Sequence, residues 1–205
     1  FVEDSPQPTS LPTAKDWQYG YGRYDEEAKA VAGFTPLPHF SGTAWSGGPS
    51  WPDAKLGWVQ LTATGGHPGN DRLHAAVRRW IAPRAMTVKI TSRVTNEPEQ
   101  GDGIRAFIVQ SKQGLLGQTK VHHSSADLNV ETAVAAGEII DFVVDIDEVL
   151  NSDQFLWKIV LAESGEMGTV WNAEADFPVN TVETLTPWEQ LAQVLLCTNE
   201  FLFVD

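Results

Sequence analysis

From Met86 to Val94 apolar and polar side chains alternate one by one, with Met86, Val88 and Ile90 on one face and Thr87, Lys89 and Thr91 on the other. Successive side chains of a strand point to opposite faces, so this period of two describes a strand with one face in a core and one in water. Similar short stretches recur along the chain. Trp58–Ala63, Ala75–Ile81, Ile104–Ser111, Gln118–His123, Val130–Val134, Ile139–Val144 and Phe155–Val160 all read as strands. An opening strand carries Trp17, Tyr19 and Tyr21 at alternate positions. Turn signals separate these segments: Gly65 to Asp71, the acidic stretch 97–103, and Gln113-Gly114. Many short strands at this spacing predict an all-β antiparallel sandwich or barrel. The run Ile139-Ile140-Asp141-Phe142-Val143-Val144 reads as the most deeply buried segment, while the prolines of Phe34 to Phe40 confine that stretch to a loop or a sheet edge.

The ends read differently. Residues 1–14, with Pro6, Pro8 and Pro12, form a linker, and 15–178 hold the sandwich. In 179–205, Thr186-Pro187-Trp188-Glu189 is a capping box with proline at the first helical position, followed by Leu191, Val194 and Leu195 at helical spacing. A short amphipathic C-terminal helix is therefore expected, packing on this domain or on a neighbour. The chain opens at Phe1, which points to excision from a longer parent.

Charge and cysteine content narrow the partners. The formal net charge of −13 repels phosphate backbones and anionic lipid, so nucleic acid is not an expected partner. No apolar run is long enough to span a bilayer. Cys197 is the only cysteine, which leaves no disulfide within the chain, no thiolate metal cluster and no covalent haem attachment. Serine nucleophile elbows and glycine-rich phosphate loops are absent, and His122-His123 on a strand would point to opposite faces, a poor chelate.

Eight tryptophans remain to be explained. Sugars present apolar C–H faces that stack on indole and phenol rings, and hydroxyls that need amide, carboxylate or imidazole partners. Trp45, Trp51 and Trp58 lie in or near Gly/Pro-rich loops, and Trp17, Tyr19 and Tyr21 could line a concave face. His67, Asn70 and Asp71 gather in a turn, with Trp80 on the following strand. These ten residues are the candidate carbohydrate site. The competing reading makes the rings core anchors and the turn self-supporting through Asn70 and Asp71. Asp145, Asp147, Asn151 and Asp153 form an oxygen-rich loop able to supply several ligands to a structural Ca²⁺, the alternative being a solvated acidic loop. It lacks the glycine and terminal glutamate of an EF-hand.

Several words of this sequence carry a resemblance. Trp17-Gln18-Tyr19-Gly20-Tyr21-Gly22, the stretch Phe34 to Trp45, Gly66-His67-Pro68-Gly69, and Ala76 to Pro83 are four of them. Gly101-Asp102-Gly103-Ile104, Ala136 to Val144 and the ending Leu185 to Asp205 complete the set. Together they resemble planctomycete cytochrome c-associated proteins, large exported chains that join c-type haem domains to domains of unknown function. His-Pro-Gly, Arg-Trp-x-Ala-Pro and Ala-Gly-x-x-Ile-Asp-Phe are similar to words in jelly-roll modules of secreted polysaccharide-degrading enzymes. The resemblance implies an exported, periplasmic or cell-surface jelly roll of the carbohydrate-binding-module kind. Its partners would be an extracellular polysaccharide or cell-envelope glycan and the haem-bearing and other domains of a parent chain. The expected function is non-catalytic glycan binding. The alternative is a structural or protein-interaction module, followed by a polysaccharide lyase or hydrolase.

Overall fold

A computed structural model describes residues 16–165 and 168–178. The expected linker 1–14 and the C-terminal helix within 179–205 lie outside the described residues. The described residues form fourteen strands: β1 (Trp17–Asp25), β2 (Ala30–Pro36), β3 (His39–Phe40), β4 (Ala44–Ser46), β5 (Gln60–Thr62), β6 (Gly65–His67), β7 (Ala75–Ile81), β8 (Met86–Asn96), β9 (Ile104–Gln110), β10 (Gly114–Val121), β11 (Ser124–Val134), β12 (Ile139–Ile146), β13 (Phe155–Glu163) and β14 (Val170–Asn172). A 3₁₀ turn, Arg72–His74, precedes β7.

The strands make two antiparallel sheets, β10-β9-β12-β7-β1-β2 and β11-β8-β13-β6-β5-β4-β3, with β14 beside the C-terminal half of β13. The connectivity of β6 to β13 is that of a jelly roll. Strand β9 pairs β10, β8 pairs β11, β7 pairs β12 and β6 pairs β13, as in one long hairpin. That hairpin is rolled so that β9 also meets β12 and β8 also meets β13. Two four-stranded sheets result, the double-sheet solution to unpaired strand edges. β1–β2 and β3–β5 lengthen the sheets beyond β7 and β6. The all-β sandwich expected from the alternation is present.

Strand β8 shows how the pattern becomes packing. All eleven of its residues pair with β11, Thr91 opposite Asn129. Val88, Ile90 and Val94 are fully buried between the sheets, while Lys89, Thr91 and Arg93 face water. Trp17, Tyr19, Trp80, Ile104, Ile108, Ile140 and Phe142 meet them from the other sheet. The outward face of that sheet is also closed. Tyr24 stacks on Phe107 with centroids 4.0 Å apart, Val77 and Val143 lie beneath, and the Arg79 guanidinium sits 3.7 Å from the Phe34 ring centroid. Gly20 makes this cover possible, because a Cβ there would come within 2.5 Å of both the Phe34 ring and the Thr35 carbonyl. Strand β12 is thus buried on both faces, which is why its sequence runs nearly unbroken in apolar residues.

Two buried carboxylates of β12 are each paired with an arginine. Arg79 grips Asp141 through two bonds of 2.8 and 2.9 Å, and Arg105 grips Asp145 through two more. Arg78 points inward, where it donates to the Thr62 and Ala63 carbonyls and ties β7 to the β5–β6 turn. Burial pushes its guanidinium down to about 10.

The segment Gly65 to His67, which reads as part of a turn, is instead strand β6. A Cβ on Gly65 would lie 1.9 Å from the Phe155 carbonyl, and one on Gly66 would lie 2.1 Å from the Gln60 carbonyl. The glycines let three backbones approach, a use of glycine in a strand that propensity alone reads as a break.

Candidate functional site

Of the candidate sugar-binding rings, four are enclosed. Trp17, Tyr19, Trp45 and Trp80 are each 6% exposed or less and belong to the core. Trp17 donates its indole N–H to Asp176, Tyr19 stacks on Trp45, and Trp80 packs edge-on against Trp171. Burial raises the Tyr19 phenol to about 12. Alternation along β1 sets Trp17 and Tyr19 on one face, and that face is the interior; Trp45, read as a loop residue, lies in strand β4. Tyr21 is half-buried and stacks on His74. None of the five offers a free platform to a ligand.

The turn residues Asn70 and Asp71 support the chain itself. Asp71 caps the 3₁₀ turn, accepting from the Leu73 N–H at 2.9 Å and meeting His74 Nδ1 at 2.8 Å. The Asn70 amide lies where a Cβ on Gly57 would be, 2.1 Å away, and Gly57 sits at a φ of +65°. Asn70 therefore lies against the loop before β5.

That loop carries the exposed chemistry. Asp53 accepts the N–H groups of Leu56 and Lys55 at 2.8 and 2.9 Å, which holds its carboxyl below the usual range. Asp53 and Gly57 also exchange two backbone hydrogen bonds. The turn so closed presents Trp51, which is 43% exposed, and donates the Trp51 indole N–H to the Trp58 carbonyl at 2.9 Å. The two indole planes are perpendicular, with centroids 4.9 Å apart. His67, on β6, packs against both rings. Its Nδ1 is 2.6 Å from the Pro68 carbonyl, so Nδ1 carries the proton and Nε2 is left as an acceptor. Burial pushes the imidazole below its ordinary value.

The loop after β12 supplies the opposite wall: Leu150, Asn151, Ser152 and Gln154. It is pinned from three sides. Asn96, fully buried, donates to the Ser152 and Gln154 carbonyls, both at 3.0 Å. Asp102 accepts from the Glu148 and Val149 N–H groups, and Asp153 accepts from Asn151 N–H at 2.8 Å. Ser152 is held at a φ of 63°, a conformation that side chains rarely adopt and that persists when its surroundings impose it. Between the two loops lies a cleft of about 520 Å³ lined by Trp51, Trp58, His67, Leu150, Asn151, Ser152 and Gln154. That volume is within the range of small-ligand sites.

Three of the ten sugar-site candidates, Trp51, Trp58 and His67, are brought together here, with Asn151 from the oxygen-rich loop. Leu150, Ser152 and Gln154 complete the site and were missed. The available signal was Val149-Leu150, two apolar residues in an otherwise acidic and polar loop, both exposed.

The calcium candidates are distributed otherwise. Asp145 is locked to Arg105, and Asp147 is paired with Lys120 and lies 3.6 Å from Arg72. Asn151 faces the cleft. Asp153 is buried, its Oδ1 lacks a partner, and burial together with Asp102 and Asp147 raises its carboxyl to about 6. Two of the four donors are already neutralised by cations. Among the described residues no group of three or more His, Cys, Asp or Glu side chains is arranged to hold a metal. No described helix is long and apolar enough to cross a membrane. No protein-family model and no curated protein matches the chain.

Proposed function

We propose that this domain is a non-catalytic carbohydrate-binding module that engages a polysaccharide in the cleft between the Trp51–Trp58 loop and the 150–154 loop. The observation that carries the reading is the exposed Trp51 ring, fixed at the mouth of a cleft whose other walls offer amide, hydroxyl and imidazole groups. A sugar needs both an apolar face and bidirectional hydrogen bonding, and this lining supplies both. Pinned loops on either side favour affinity, since little remains to be ordered on binding. The resemblance described above extends the proposal: the module would belong to an exported, cytochrome-bearing parent and tether it to an extracellular or cell-envelope glycan.

A second reading, a protein-interaction module that docks domains of the parent, draws on Val149 and Leu150, which add exposed apolar surface beside Trp51. A glycan array probed with the intact chain, followed by fluorescence titration, separates the two. Expected is saccharide-dependent change in tryptophan emission, with Trp51→Ala weakening binding at least about tenfold, or roughly 1.4 kcal/mol. Binding that survives Trp51→Ala undiminished, or no saccharide bound at all, refutes the assignment.

A further inference from the structure

Resting on that glycan-binding reading, we infer that the cleft takes an uncharged saccharide, held as a chain end or a short stretch turned into a corner, and not a uronate chain or a flat crystalline surface.

Charge is the first argument. The seven lining residues carry no formal charge: two indoles, one isobutyl group, two amides, one hydroxyl, and an imidazole kept neutral by burial. A carboxylate or sulfate brought into this cleft loses part of its hydration and finds no cation in the lining to replace it. It also enters the field of a chain with net charge −13. A neutral sugar meets neither cost. Its hydroxyls both donate and accept, which matches Asn151, Ser152 and Gln154 and the free Nε2 of His67.

The rings supply the second argument. A flat chain or crystal face is read by coplanar rings spaced along one surface. Trp51 and Trp58 stand at 90° to each other, so one plane cannot stack on both. Trp17, Tyr19, Trp45 and Trp80 extend no platform, since they are inside the sandwich. Leu150 and the polar side chains line the rest of the cleft. What fits is one sugar ring on Trp51 with its neighbour directed toward the 150–154 wall.

Isothermal titration of the intact chain tests this with three probe sets. These are neutral gluco-, manno-, galacto- and N-acetylglucosamine oligosaccharides of increasing length, oligo-uronates of matched length, and co-sedimentation with microcrystalline cellulose or chitin. The expected result is binding of at least one neutral series, with affinity that stops rising after the first few units. It should change by less than about twofold between low and high salt, since no charge pair is formed. Uronates should bind at least about tenfold more weakly. Tighter uronate binding, affinity falling about tenfold with salt, or sedimentation with the solid while soluble chains fail to bind overturns the inference and leaves glycan recognition standing. Failure of every probe set overturns both.

Discussion

Replacing Asp153 by Asn should stabilise the protein at neutral pH and leave it nearly unchanged in acid. The carboxyl is buried, its Oδ2 accepts one N–H from Asn151, and its Oδ1 has no partner. Burial first, then the charges of Asp102 and Asp147, raise it from its ordinary 3.8 to about 6. The folded protein therefore holds a proton there that the unfolded chain releases near pH 4. Below that pH both states are protonated and Asp153 costs nothing. As pH rises toward 6 the unfolded state gains the advantage of a solvated carboxylate, and above 6 the penalty is constant. At about 1.36 kcal/mol per tenfold in proton affinity the gap sets a ceiling of about 3 kcal/mol. The loop is at the surface, where nearby water screens part of the cost, so about 1–2 kcal/mol is the expected gain. Asparagine keeps an acceptor for the Asn151 N–H and removes the buried charge. Urea unfolding followed by tryptophan fluorescence at pH 3 and pH 7.5 measures the difference. A variant less stable than the parent at pH 7.5, or equally favoured at both values, refutes the reasoning. So does a parent whose melting temperature climbs with millimolar Ca²⁺ when the variant's does not, since the carboxylate would then be answering a cation.

Three further outcomes follow from the packing. Arg79→Ala or Asp141→Ala alone should cost about 3–5 kcal/mol in chemical denaturation, because each strands a buried charge, whereas Arg79→Met with Asp141→Leu should recover most of that loss. Gly65→Ala should lower stability by more than about 2 kcal/mol and raise hydrogen exchange at the β6–β13 contact, since its Cβ would meet the Phe155 carbonyl at 1.9 Å. Trp80→Ala, at a fully buried ring, should cost about 3–5 kcal/mol, while Trp51→Ala changes stability by less than about 1 kcal/mol. Equal effects at the two tryptophans in a thermal melt would show that their different exposure is wrong.

Most strands could be read from the order of residues alone. Met86–Val94 and Ile139–Val144 alternate or run apolar because their neighbours in space are other strands of the same kind, and local pattern reports that directly. The short strands were harder. β3, β4, β6 and β14 have two or three residues each, too few for a period to register, and β6 is built from glycines whose role depends on the carbonyls opposite. At the site, Trp51 and Trp58 were legible as ring-bearing loop residues, and His67 as a polar neighbour.

What the order of residues determined by itself is the sandwich class, the central parts of the long strands, and which side chains of a strand share a face; the ends of β10 and β11 were not legible, since β10 starts at Gly114 and β11 at Ser124. It could not say which face is the inside. Trp17, Tyr19 and Trp80 alternate as well as any exposed stripe would, and only the facing sheet, with Ile90, Val94 and Trp157, encloses them. Nor could it join the Trp51 loop to the 150–154 loop, about a hundred residues later. Strand pairing across the rolled hairpin does that, by setting β6 beside β13 and so bringing His67 and Gln154 to one edge. Alternation is a property of neighbours along the chain, while burial and the cleft are properties of neighbours in space. The tertiary fold alone connects the two.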